Sequence, residues 1–194
     1  HEDSVFPVHR AGIPTNIRNT NAPEEIGTMI THGAVEEPNP YVITGIAGRL
    51  GFSVISVEKA MMNGEVGFGR KVLQAVEEFG LSFEHMPTGI DTMCVVLSTA
   101  ELEPVKEQLT RRIWETTNPD TLTIHDNMGI IATVGRGMVH NPGTAARLFT
   151  ALSRYHINVR MIDQGSSELS ILVGVDSGEF QQAILAIYDE FVSE

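Results

Sequence analysis

One stretch of this sequence occurs twice, and that repetition restricts the fold more than any other feature. Residues 54–97 slide forward by 76 positions, Gly67 onto Gly143, and without a gap Val54-Ile55 falls on Ile130-Ile131, Ala75 on Ala151, Val76 on Leu152 and Phe79 on Tyr155. The match runs on with Leu81 on Ile157, Phe83 on Val159, Met86 on Ile162, Gly89 on Gly165, Met93 on Leu169, Val95 on Ile171 and Leu97 on Val173. Self-similarity at a fixed offset means two copies of one structural unit.

Both copies read alike. A β-branched run, Val54 to Val57 or Ile130 to Val134, passes through a glycine-bearing turn into a segment of helical spacing. Its apolar stripe is Val72, Leu73, Val76 and Phe79 in the first copy and Leu148, Phe149, Leu152 and Tyr155 in the second. Two strands follow, Leu81–Met86 with Thr92–Leu97 and Ile157–Ile162 with Glu168–Val175, then a second helix, Glu101–Trp114 or Glu179–Phe191. Strand, helix, strand, strand, helix predicts an α+β fold of two ferredoxin-like βαββαβ units, helices packed on an antiparallel sheet.

Strand counting predicts how the units interlock. Thr121 to His125 alternates and closes the first unit, whereas the second unit runs out of sequence after its last helix and lacks a fourth strand. Ile13 to Asn19 also alternates, and an unpaired edge is a liability. We therefore expect residues 13–19 to complete the second unit, with the first unit inserted in it. The divisions are a connector over residues 1–40, a first unit over 41–126 and a second over 127–194. Within the connector, His1 to Ala11 has room for a helix only if Pro7 lies in its first turn, and Gly27 to Thr31 is extended. Glu36-Glu37-Pro38-Asn39-Pro40 is a rigid polar link, and Tyr41 to Ile46 begins another strand.

A formal charge of −12 weighs against nucleic acid and anionic membrane surfaces, because both need Lys/Arg clusters. Small molecules or proteins are the expected partners. The single cysteine, Cys94, has no disulfide partner and reads as inert core of a cytoplasmic protein. No apolar run reaches the ~20 residues of a transmembrane helix, and no signal peptide is visible. The chain begins at His1, which reads as part of a longer polypeptide.

No catalytic set stands out. The seven histidines show no metal-ligand spacing. Gly67-Phe68-Gly69 with Arg70-Lys71 lacks the Walker and dinucleotide spacings, as does Gly135-Arg136-Gly137. The better signal is a pair of loops at helix starts, Met61 to Phe68 and Met138 to Thr144, facing strands where Glu84 and Arg160 hold equivalent positions. A helix N-terminus beside polar strand groups can satisfy both ends of an amino acid, and an ordinary tight turn with a solvated charge fits the same spacing.

Several runs resemble the regulatory region of bacterial aspartokinases: Ile13 to Thr20, Gly27 to Ile30, Ile43 to Ala47, Val57 to Asn63 through Val66 to Val72, Ser82 to Thr92 and Ile162 to Glu168. The resemblance implies two ACT domains, the first inserted in the second, that bind lysine or threonine and restrain an ATP-dependent kinase acting on the aspartate side chain. It also implies that ATP and Mg belong to a kinase domain outside this sequence, that this region alone is inactive and needs no cofactor, and that ACT domains pair as a homodimer. Carried over by position, the effector would meet Met62, Glu65, Gly67, Phe68, Phe83, Glu84, Thr88, Gly89 and Ile90, with Glu84 holding a lysine ammonium. A second site would use Asn141, Gly143, Thr144, Asn158 and Gln164. Lysine-sensitive relatives usually carry serine at position 65 and leucine at 69, where this sequence has Glu65 and Gly69, so lysine and threonine both stay open. An ACT pair that only assembles and binds nothing is the other reading.

Overall fold

The computed structural model describes residues 2–31 and 41–192, in two compact units divided after residue 39. The proline-rich link at Glu36 to Pro40 lies outside the described residues.

The smaller unit holds α1 (Glu2–Arg10), β1 (Thr15–Ile17) and β2 (Thr28–Ile30). Pro7 sits inside α1 rather than in a first turn, so this short helix forgoes an i→i−4 hydrogen bond there. Strand β1 pairs antiparallel with β2, Asn16 opposite Met29. Asn16 Nδ2 donates to the Ile26 carbonyl at 3.0 Å, and the Arg18 guanidinium donates twice to the Glu25 carbonyl. The segment expected to complete the second ferredoxin-like unit therefore finds its partner eleven residues downstream, where closing the chain is entropically cheap.

The larger unit contains β3 (Gly45–Glu58), α2 (Phe68–Glu78), β4 (Phe83–His85), β5 (Thr92–Ser98), α3 (Thr99–Leu102), α4 (Lys106–Thr117), β6 (Thr121–Val134), α5 (Thr144–Arg154), β7 (Met161–Asp163), β8 (Ser170–Asp176) and α6 (Phe180–Val192). Its strands form one antiparallel sheet in the order β4-β5-β3-β6-β8-β7. The two central strands are 14 residues each, and every residue of β3 lies 76 positions before its counterpart in β6. They pair with each other, Gly45 opposite Val134 and Glu58 opposite Thr121. Each long strand thus serves both repeats. The end of β3 opens the first repeat and the start of β6 closes it; the end of β6 opens the second repeat, and Gly45 to Leu50 of β3 takes the edge place assigned from sequence to Ile13–Asn19.

Sharing a strand raises a problem of sidedness, because strict alternation along 14 residues fixes which side chains face the helices. The register shifts between Leu50 and Val54 solve it. Gly51 and Asn127, equivalent in the repeat, both have positive φ (89° and 59°) and mark one extra residue in each strand. A bulge of that kind reverses the alternation beyond it. Ile46 consequently faces the helices of the second repeat, while Ile55 and Val57 face those of the first.

Two cores result. Ile55, Val57, Val95 and Leu97 pack under Val72, Val76, Leu109 and Ile113 of α2 and α4, all buried. Ile131, Val173 and Val175 pack under Leu148, Leu152, Ala183 and Ile187 of α5 and α6. On the opposite, helix-free face Phe52, Val54, Val96, Met128, Ile130 and Met161 form a third buried cluster drawn from both repeats. A single-layer sheet buries such residues only by curling over them. The outer strands do approach each other, with His85 Nδ1 on β4 and Asp163 Oδ2 on β7 3.7 Å apart.

The ungapped offset holds through β7 but not beyond it. Pro87 pairs with Cys94 in the first repeat, through the Cys94 N–H to the Pro87 carbonyl, and Asp163 pairs with Leu172 in the second. The second hairpin is therefore two residues longer, and β8 is equivalent to β5 at an offset of 78, Thr92 matching Ser170. The ungapped slide concealed this because a two-residue shift in a strand keeps the same face.

Candidate functional site

The first repeat presents a cavity of about 280 Å3 at the start of α2, lined by Met62, Asn63, Glu65, Gly67, Phe68, Gly69, Met86, Thr88 and Met93. The loop that forms it is tied down by carboxylates and backbone. Asp91 Oδ1 accepts from the Met61 N–H at 2.8 Å and Asp120 Oδ2 from the Ala60 N–H at 2.7 Å. The Lys59 and Asn63 N–H groups donate to the carbonyls of Asp91 and Ile90. Met61, held at φ 60°, then turns the chain into a single 3-10 turn, Met62–Gly64.

Helix α2 starts at Gly67, whose φ of 81° suits a residue without Cβ, and no side chain caps it. The Phe68 amide donates to the Glu65 carbonyl at 3.2 Å, while those of Gly69 and Arg70 have no side-chain cap, the polarity that attracts a carboxylate. Glu65 lies between Lys59 Nζ at 2.6 Å and Lys71 Nζ at 2.7 Å. The hydrogen bond from Lys59, then that from Lys71, holds its carboxyl below the usual range. Lys59 also donates to the Thr117 carbonyl at 2.7 Å and stands over the Phe68 ring. Lys59 and Lys71 thus bring two cations to the rim, both paired with Glu65. The remaining walls are thioethers and an aromatic ring, suited to an apolar portion of a ligand.

Of the residues expected from sequence, the structure gathers Met62, Glu65, Gly67, Phe68 and Thr88 around this cavity. Phe83, Glu84, Gly89 and Ile90 are outside its lining. Glu84 pairs with Arg49 of β3, and the Arg49 guanidinium lies 4.6 Å from the centre of the Phe52 ring. Phe83 and Ile90 are exposed. Sequence reasoning missed Lys59, Lys71, Met86 and Met93. The even spacing Lys59, Glu65, Lys71 was the available signal, but the three fall after β3, in the loop and in α2, so no single element's period reveals that they meet.

The equivalent loop of the second repeat is closed on itself. Gly143 (φ 93°) starts α5, Thr144 Oγ1 donates to the Asn141 carbonyl at 2.8 Å, and Asn141 Nδ2 donates to the Gly137 carbonyl at 2.7 Å. Asn158 is exposed, away from this cluster in the chain. Gln164 instead lines a groove of about 420 Å3 between the outer strands, with Thr88, Gly89 and Asp163. The five second-site residues are thus not brought to one cavity. Burial pushes the Cys94 thiol up, the hydrogen bond to Ser56 opposing it only in part. Among the described residues no cluster of His, Cys, Asp and Glu could hold a metal, and no helix is long and apolar enough to cross a membrane.

Residues 131–191 match the ACT-domain family profile. Aspartokinase 3 of Bacillus subtilis is 41% identical over 192 residues, covering 98% of this chain and 42% of that protein. A chloroplastic bifunctional aspartokinase/homoserine dehydrogenase of Daucus carota is 29% identical, with 98% of this chain matching 22% of its length. The chain therefore spans well under half of these relatives. Among solved structures, the aspartate kinase of Clostridium acetobutylicum superposes with a TM-score of 0.90 at 47% identity, over 98% of this chain and 44% of that one. The regulatory subunit of aspartate kinase from Thermus thermophilus has the same fold at 22% identity, with a TM-score of 0.65 over 77% of this chain and 98% of its own. Residues 131–191 thus carry the ACT-domain pattern, the fold is the one seen in the aspartate kinase structures, and over nearly its whole length the chain is similar to part of the aspartokinases.

Proposed function

We propose that this chain senses an end-product amino acid, lysine or threonine, for an aspartokinase and transmits its presence to a kinase domain of the same polypeptide. The observation that carries the reading is the cavity at the α2 start. The Gly69 and Arg70 amides, without a side-chain cap, and the Lys59 and Lys71 ammonium groups at the rim suit an α-carboxylate, and the Met62, Met86, Met93 and Phe68 walls suit an aliphatic side chain. An E. coli aspartokinase III, 18% identical, has been crystallised with lysine and aspartate, in keeping with such a role. Control is a population shift: effector restrains a kinase only as far as it prefers one arrangement over another, and inverting a hundredfold bias takes about 5.5 kcal/mol of differential binding.

A second copy of the chain completes the site. Met61, Val66, Phe83 and Ile90 surround this end of the first repeat and are 79%, 97%, 45% and 71% exposed. An apolar patch of that kind is the mark of an interface, and a homodimer would cover it.

Lysine needs a carboxylate to release its present partner. The carboxylate in this cavity's lining is Glu65, which would exchange Lys59 or Lys71 for the ligand's ammonium, whereas Glu84 is paired with Arg49 outside that lining. Calorimetric titration of lysine and threonine into wild type and Glu65→Gln tests the assignment. Lysine should weaken by roughly tenfold or more and threonine hardly at all, as the loss of a charge-assisted hydrogen bond requires. Equal losses for the two would remove Glu65 as selector. No heat from either would favour a region that only assembles.

A further inference from the structure

The α2 cavity leaves unexplained a second one, of about 240 Å3, on the opposite and helix-free face. Its floor is Val54, Met128 and Met161, from both repeats, and its polar groups are Ser56, Cys94, His125 and Arg160. Among the described residues no carboxylate lines it. Such a face on a lone antiparallel sheet is ordinarily solvated and polar; here curling has made it concave and apolar.

The polar groups are arranged around a cation. The Arg160 N–H donates to the Gly174 carbonyl at 2.8 Å, which fixes its backbone to β8, and its guanidinium Nη2 lies 3.2 Å from His125 Nδ1. Donation from Arg160 makes Nδ1 the acceptor, so the imidazole carries its proton on Nε2, 3.4 Å from Thr123 Oγ1. A guanidinium has five N–H donors in a planar fork, and His125 takes one. Ser56, 6% exposed, accepts weakly from the Cys94 thiol at 3.8 Å, and its hydroxyl remains able to donate into the cavity. The Arg49–Glu84 and His85–Asp163 pairs flank the curl without supplying an anion to its interior.

We propose that this cavity is a second ligand site, distinct from the α2 cavity, for a short carboxylic acid whose carboxylate is held by Arg160 and whose apolar tail lies on Val54, Met128 and Met161. A carboxylate matches the guanidinium fork in a bidentate way that neutral groups cannot. Because the walls come from both repeats, occupancy would brace one against the other.

The eight methionines provide the test, since Met128 and Met161 line this cavity while Met62, Met86 and Met93 line the other. The 194-residue chain labelled with 13C-methyl methionine is titrated with 4-methylpentanoate and, separately, with the neutral amide of the same shape. The acid should shift the Met128 and Met161 methyl signals and leave the other three in place, and the amide should shift none. Arg160→Gln should weaken the acid by about tenfold or more, and Arg160→Lys, which keeps the charge but not the fork, by less. Absence of shifts, equal response to acid and amide, shifts at Met62, Met86 and Met93 instead, or indifference to Arg160→Gln would each overturn the proposal.

Discussion

Glu65 shows how far one side chain's role depends on its neighbours. Paired with Lys59 and Lys71, its folded-state pKa lies below the ordinary carboxylate value. A depressed pKa means that the contribution to stability is complete above the unfolded value, near 4.3 for glutamate, and is lost as pH falls through the lower folded one. Urea titrations should therefore find Glu65→Gln less stable than wild type at neutral pH, with the difference closing in acid. A gap that persists at low pH would mean the carboxylate's charge is not what matters. Asp126 follows the same rule. Its carboxyl is lowered first by Lys106 at 2.7 Å and then by buried Ser53 at 2.6 Å. Asp126→Asn should cost about 1 kcal/mol or less, because the carboxylate is 38% exposed and its pairing is screened.

At the scale of elements, α6 packs tightly on the shared strands, and glycine permits it. A Cβ at Gly129 would stand 2.4 Å from Phe180 Cδ2, and one at Gly48 2.7 Å from Phe180 Cζ. Gly129→Ala should lower stability by roughly 1–3 kcal/mol, the usual penalty of overpacking. Phe180→Leu, which withdraws the ring, should recover part of that loss in a double-mutant cycle. Gly51 is a contrasting case, since no atom lies within 4 Å of its would-be Cβ but φ is +89°. Gly51→Ala should cost about 1 kcal/mol through backbone strain alone, with no neighbouring substitution able to rescue it. Equal rescue of both variants by Phe180→Leu would refute this division between clash and strain.

For the whole molecule, a second copy is expected to cover the exposed apolar end of the first repeat. Sedimentation should show a homodimer at micromolar concentration, and replacing Val66 and Ile90 with aspartate should shift it to monomer without unfolding it. A wild-type monomer at every concentration, with and without lysine or threonine, would exclude the second copy.

How much of this was legible beforehand follows from the range of the interactions involved. The repeat, the order of elements and the helix faces rest on periodicities within a dozen residues, and the sequence determined them: α2 and α5 begin 76 positions apart, as the sequence pattern requires. The loop Met61 to Phe68 was readable for the same reason, being local to a helix start, whereas Met62, Gly67 and Phe68 within it were singled out by the family resemblance. Strand partners are another matter. Ile13 to Asn19 and Gly45 to Leu50 alternate about equally well, and only tertiary pairing gave the first to β2 and the second to β6. The two compensating bulges, invisible to any alternation count, then set which face each half-strand buries. Ion pairs were the least legible of all: Glu84 went to Arg49, 35 residues away, and Glu65 to two lysines, because a side chain's partner is whatever the folded chain brings within reach.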